Sequence, residues 1–167
     1  GGKFQRPADG LKNRQDAEND KMKTFFEPDS RVDELAHAVM GAAIEAHRHL
    51  GPGFLESVYE EALCVELLER RISFERQKEI SVIYKERQIG RQRIDLLIDG
   101  LLIVELKTVE ALAEIHKARL ISYLKATNLQ LGLLINFNVP ILKSGIQRVV
   151  LTKNNQSEPW CSPRLGG

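Results

Sequence analysis

Cysteine is scarce in this 167-residue chain: Cys64 and Cys161 are the only two, and neither stands in a CxxC or a Cys/His zinc spacing. A disulfide framework is thereby excluded. Long apolar runs are missing as well. The longest candidate, Leu96 to Leu106, is cut by Asp99 and Gly100 and falls short of the roughly 18 to 20 residues a membrane span needs. Charge of one sign is not in excess, with 24 Lys plus Arg against 23 Asp plus Glu, so the overall balance names no partner. Internal repeats and low-complexity tracts are also absent. With two thiols and no visible secretory signal, a reducing cytoplasm and no membrane partner are the expectation.

What is present describes a globular domain. Hydrophobic residues make up 43% and charged residues 28%, ordinary figures that rule out a disordered chain or a collagen-like repeat. The length suits one domain with material to spare at its ends. Residues 1–28 are polar and without a sustained period, so they read as a flexible arm in which Phe25 and Phe26 could dock. From residue 154 to 167 the chain turns polar again around an isolated Trp160. The domain is expected over residues 29–153.

Within it, Ser30 followed by Asp33 reads as a capping box opening a helix. Val32, Leu35, Val39, Ala43 and Leu50 give this helix an apolar stripe, and Gly51-Pro52 ends it. A second helix is predicted from about Leu55 to Arg71, with Cys64 as a small core residue. The period then changes to two. Strands are expected over Ile80 to Tyr84, Gln88 to Ile98 and Leu102 to Lys107, with a turn at Asp99-Gly100. A helix from about Ala111 to Thr127 and strands at Leu131 to Phe137 and Ile146 to Thr152 complete the pattern. The order α-α-β-β-β-α-β-β is that of an α/β (α+β) domain with a mixed β-sheet flanked by helices.

Chemistry concentrates on the third strand, Leu102-Ile103-Val104-Glu105-Leu106-Lys107-Thr108. Glu105 and Lys107 lie two apart and so share a face. Ionisable groups on an apolar strand are unfavourable unless they pair or serve a site. Asp95 likewise interrupts Ile94-Asp95-Leu96-Leu97-Ile98. A two-residue Asp99-Gly100 turn would set position 95 against 104 and send Glu105 to the other face. A three-residue loop, Asp99-Gly100-Leu101, or a bulge near Asp95 would bring both carboxylates to one face, and this is the register expected here. Two carboxylates beside a lysine suit a hard divalent cation such as Mg²⁺. A buried Asp–Lys or Glu–Lys ion pair is the plainer reading of the same residues.

Gly53-Phe54-Leu55-Glu56-Ser57-Val58-Tyr59 resembles the signature for which the GxxExxY proteins are named, a branch of the PD-(D/E)XK nuclease superfamily. The resemblance continues through Gln77, the Ile94-Asp95 step, Glu105-Leu106-Lys107, Ser122-Tyr123-Leu124-Lys125-Ala126-Thr127 and Gly132-Leu133-Leu134-Ile135-Asn136-Phe137. It spans about residues 30–153. It implies a restriction-endonuclease-like fold and a Mg²⁺- or Mn²⁺-dependent nuclease acting on nucleic acid, DNA ahead of RNA. Asp95, Glu105 and Lys107 would then form the metal-binding and catalytic triad, with the backbone carbonyl of Leu106 as a further ligand. Glu56 would complete the metal shell; as a first-turn carboxylate it is equally explained by the helix dipole.

Two departures from the pattern stand out. Ile94 precedes Asp95 where the superfamily has proline, and Arg119 occupies a helical position where related sequences often carry Gln. His116, Arg119 and Tyr123 fall within about 60° of one another on a helix, so Arg119 and Tyr123 are candidates to hold a phosphate. Gln77 and Tyr59 are lesser candidates for support near the site. The stretch from Arg70 to Arg93, rich in Arg and Lys, would contact backbone phosphates or simply be a solvated face. A catalytically inactive nucleic-acid- or protein-binding module on the same fold is the alternative. A homodimer and a subunit of a larger complex both remain compatible with the residues. His37, His47 and His49 are expected to be ordinary structural or surface histidines.

Overall fold

The computed structural model describes residues 28–152. Residues 1–27 and 153–167, which hold nearly all of the expected arm (1–28) and all of the expected tail (154–167) with Phe25, Phe26, Trp160 and Cys161, lie outside the described residues.

Helix α1 spans Ser30–Leu50. Its cap is Asp29, whose carboxylate accepts the Arg31 amide at 3.2 Å, so the capping acceptor is one residue earlier than Ser30. Gly51 stops the helix at φ 68°, its N–H returning to His47 O. Helix α2 spans Glu56–Glu69. Strands β1 (Phe74–Tyr84), β2 (Arg87–Ile98) and β3 (Leu102–Lys107) follow, then α3 (Glu114–Thr127), β4 (Leu131–Asn136), a 3₁₀ turn (Leu142–Gly145) and β5 (Ile146–Val150). The order and type of elements agree with the pattern read from the sequence. The strands form one sheet in the order β1-β2-β3-β4-β5. Only β3 and β4 run parallel, with α3 as their crossover. The result is a mixed sheet flanked by helices.

The sheet buries both faces. On one side α1 and α2 pack Ala36, Val39, Ala43, Tyr59, Leu63 and Leu67 against Leu96, Ile98, Val104 and Leu106. On the other, α3 packs Leu120, Tyr123 and Leu124 against Ile94, Ile103 and Leu134. Strands β3 and β4 therefore lie between two apolar layers, which explains their unbroken burial.

One irregularity positions the site. Phe74 and Ile80 are an even number of residues apart, yet Phe74 packs with the α1–α2 layer and Ile80 with the α3 layer. The same switch separates Leu96 from Ile94. Both strands change face at one rung, where Gln77 has φ 49° and the Gln77–Asp95 pair drops out of the ladder; a separate one-residue register shift lies farther along, between Val82 and Ile83. Before Leu96, β2 pairs with β1 alone, so the two strands continue past β3 as a two-stranded ribbon.

Candidate active site

Strand β3 enters its last rungs fully buried, and there the sequence changes from apolar to Glu105 and Lys107. The β2–β3 register runs Ile98↔Leu102, Leu97↔Ile103, Leu96↔Val104, which sets Asp95 opposite Glu105. The loop is the three-residue Asp99-Gly100-Leu101, with Asp99 at φ 49° and Gly100 at φ 68°. Leu101 N–H closes it on Ile98 O at 2.9 Å. Of the two alternatives expected from the sequence, the three-residue loop is the one present; the register does not shift at Asp95, and the β1–β2 bulge lies at Val82/Ile83 instead.

The two carboxylates are tied into the opposite strands. Asp95 N–H donates to Glu105 Oε1 at 3.2 Å, and Leu106 N–H donates to Asp95 Oδ2 at 2.8 Å. Lys107 Nζ donates to Leu106 O at 2.8 Å and lies 3.9 Å from Glu105 Oε2. One ammonium thus serves both a carboxyl and a carbonyl oxygen. Glu105 is 5% exposed, and burial, reinforced by the Asp95 charge, pushes its carboxyl up to about 8. Burial likewise raises Asp95, opposed by the Leu106 amide and by Lys107.

Glu56 opens α2 beside this group. Its carboxyl is raised first by burial; Lys107 pulls it down, while Asp95 and Glu60 push it up. It therefore lies within electrostatic reach of Asp95 and Lys107. Among the described residues, no three His, Cys, Asp or Glu side chains converge closely enough to hold a metal by themselves. The carbonyl of Leu106 is a different kind of donor. Two carboxylates and a carbonyl form a hard oxygen set, and once both acids are ionised a single lysine leaves them under-neutralised. The residues present fit a divalent cation on that ground, provided the Lys107 ammonium moves off Leu106 O.

Tyr123 reaches the site from α3. Its phenol is raised by burial and then by the Glu105 charge, with Arg119 opposing. Arg119 is exposed and, with Tyr123, Ile80, Val82 and Gln92, lines a groove of about 480 Å³ between α3 and the ribbon. His116 is used differently, its Nδ1 accepting the Ala113 amide at 3.0 Å at the start of α3.

Tyr59 is a correction to the sequence reading. It is fully buried, stacks on Phe137 with ring centroids 4.5 Å apart, and donates its hydroxyl to Gly51 O at 2.6 Å. The same oxygen accepts the Phe54 amide at 3.1 Å. Tyr59 clamps the loop ahead of α2, its hydroxyl committed to Gly51 O and the Phe54 amide. Gln77 is also better placed for protein than for ligand: its Nε2 donates to Glu60 Oε2 at 2.7 Å. His47 is buried with Nε2 3.1 Å from Phe137 O, while His49 and His37 face Glu45 and Asp33 on the surface.

The basic stretch is largely spent on neighbours. Arg70 pairs with Glu66, Arg76 with Glu60 and Glu61, Lys78 with Glu75, and Arg91 with Glu79. Among the described residues, Arg71, Arg87 and Arg93 make no ion pair, and Lys85 lies 5.4 Å from the centroid of the Tyr84 ring.

Two polar residues near the site were not singled out from the sequence. Glu60 is 8% exposed and accepts from Arg76 Nε at 3.0 Å as well as from Gln77. Asn136 is 2% exposed, accepts the Val109 amide at 3.1 Å and donates to Val109 O at 2.8 Å. It stands beside Lys107 in the β3–β4 register and fixes the chain as it leaves β3. An Asn closing a buried strand, Leu131 to Asn136, was the signal available for it.

A family model described as the PD-(D/E)XK nuclease superfamily matches residues 33–149, a span that contains every site residue described above. No curated protein matches the chain.

Proposed function

The chain belongs to the PD-(D/E)XK nuclease superfamily, and from that premise we propose that it is a divalent-metal-dependent nuclease hydrolysing DNA, with RNA as the second substrate class. Within the superfamily we place it in the GxxExxY branch, on Gly53, Glu56 and Tyr59. The observation that carries the reading is the convergence of Asp95 and Glu105 on one side of Lys107 at the end of a buried strand.

Asp95, Glu105 and the Leu106 carbonyl would hold Mg²⁺ or Mn²⁺, with Glu56 supporting from α2. A bound ion of this kind supplies Lewis-acid polarisation of a phosphoryl oxygen and a water of lowered pKa. The protein's own contributions are positional and electrostatic. The reciprocal amide bonds fix both carboxylates before any ligand arrives. Lys107, turned from Leu106 O, offers a buried ammonium to charge building on the phosphate or to the attacking water. Arg119 stands at the rim of the adjoining groove, where a flanking phosphate would meet it. Lys85, Arg87 and Arg93 on the ribbon give sequence-independent contact with backbone phosphates.

The test is cleavage of end-labelled DNA and RNA oligonucleotides after chelation and re-addition of Mg²⁺ or Mn²⁺. The parent chain is expected to cut only with metal, and Asp95→Asn to lose turnover while keeping the parent's circular dichroism. Cleavage retained in Asp95→Asn, or no cleavage of any substrate by the parent alongside salt-sensitive binding, contradicts the reading.

A further inference from the structure

Strand β1 contains a residue in a conformation its type rarely adopts. Gln77 has φ 49°, and it stands opposite Asp95 at a rung missing from the β1–β2 ladder, five residues before the register shift at Val82/Ile83. The flanking rungs, Arg76↔Leu96 and Lys78↔Ile94, keep the same register, so nothing is inserted or deleted there. What changes is the face: both strands switch layers through this rung. On its other side Asp95 is also past the last β2–β3 pair, Leu96↔Val104. The backbone at Asp95 is thus released from the ladder on both sides, and its carboxylate turns to the Leu106 amide.

A left-handed backbone at a long side chain is unfavourable and persists only where its surroundings enforce it. Glycine would adopt it freely. The side chain of Gln77 supplies the reason for a residue other than glycine. Its amide donates to Glu60 Oε2 at 2.7 Å, and Glu60 is itself held by Arg76 Nε at 3.0 Å. Glu60 lies one helical turn after Glu56 on α2, and only 11% of its side chain is exposed. Side-chain bonds therefore run from Glu60 on α2 to Gln77, whose backbone stands directly opposite Asp95.

Resting on the nuclease reading for its functional meaning, we infer that Gln77 and Glu60 are positioning residues for Asp95. The Glu60 carboxylate anchors the Gln77 amide, the anchored side chain holds the left-handed rung, and that rung aims Asp95 at Leu106 and Glu105. Supporting residues of this kind govern metal affinity through the ligands they orient.

The experiment compares the full 167-residue parent with Gln77→Gly, Gln77→Asn and Glu60→Gln, all free of metal, by NMR-detected hydrogen exchange. Gln77→Gly removes the amide but relieves the backbone, so its melting temperature is expected to equal or exceed the parent's. Gln77→Asn keeps an amide too short to reach Glu60. In each variant the Leu106 amide, which donates to Asp95, is expected to exchange about tenfold faster or more, while the Leu133 amide in the sheet centre stays within about twofold. Mn²⁺ affinity by calorimetry should fall about tenfold or more in the same variants. Leu106 exchange unchanged in Gln77→Gly overturns the inference. A parent that binds no Mn²⁺ but shows the Leu106 effect would remove the nuclease reading and leave the positioning intact, so the two failures are separate.

Discussion

Asp95 and Glu105 stand opposite each other one rung past the last paired residues of β2 and β3, and each carboxylate accepts a main-chain amide from the other's strand. The acids are therefore part of the hydrogen-bonding of the sheet as well as of the site. Fixing them this way brings two carboxyl groups together in a buried place with Lys107 as the nearest cation. The consequences can be measured.

The first concerns pH. Glu105 keeps its proton up to about 8 in the folded protein, against 4.5 for the free group. Between those values the unfolded chain has lost a proton that the native state retains. Stability of the metal-free protein should fall as pH rises through this window, by up to about 1.4 kcal/mol per pH unit for the one proton. Urea unfolding from pH 5 to 8.5 in a chelator should show this decline in the parent and a shallower one in Glu105→Gln, with the variant the more stable at pH 8. Parallel profiles would refute the assignment.

Lys107 gives a prediction with opposite signs for binding and turnover. Its ammonium occupies Leu106 O and neutralises Glu105 in part. Lys107→Met should bind Mn²⁺ at least as tightly as the parent at pH 8.5, because a competing cation is gone. Its turnover should nonetheless fall by about a hundredfold or more if the ammonium stabilises charge in the transition state. Single-turnover cleavage beside calorimetry separates the two effects.

Tyr59→Phe probes the motif residue that the structure removes from the site. Losing the hydroxyl leaves Gly51 O and the Phe54 amide without their partner. The expected cost is about 1–2 kcal/mol of stability, read as a lower urea midpoint, with Mn²⁺ affinity within about twofold of the parent.

Gly145→Ala tests the support behind Asn136. A Cβ there would stand 2.3 Å from Asn136 O and 3.0 Å from Val139 Cγ2. Backbone must shift to admit it. Destabilisation of about 1–3 kcal/mol is expected, accompanied by changed chemical shifts at Val109, whose amide and carbonyl Asn136 holds.

Much of this fold is legible because its signals are local. Alternation in β2, the unbroken apolar runs of β3 and β4 and the Gly51 stop each follow from neighbouring residues. Asp95, Glu105 and Lys107 are visible as charges in apolar strands, and the Asp99-Gly100 pair narrows the register to two choices. The beginning of β1 is not legible from Ile80 backward: Glu75, Arg76, Gln77 and Lys78 break the alternation because the strand changes face there. Helix α3 begins at Glu114 rather than near Ala111, since its first amide partner is a histidine ring. Glu60 reads as one more surface acid, and its burial depends on Arg76 and Gln77, 16 and 17 residues away. The sequence of Tyr59 marks it as part of a motif but does not show which way it points.

The most direct test is Mn²⁺ titration by calorimetry of the parent, Asp95→Asn and Glu105→Gln at pH 8.5, above the value at which Glu105 gives up its proton. A single site in the parent, lost or weakened by about a hundredfold or more in both variants, is the predicted result. Equal affinity in all three proteins would contradict a metal site built on Asp95 and Glu105.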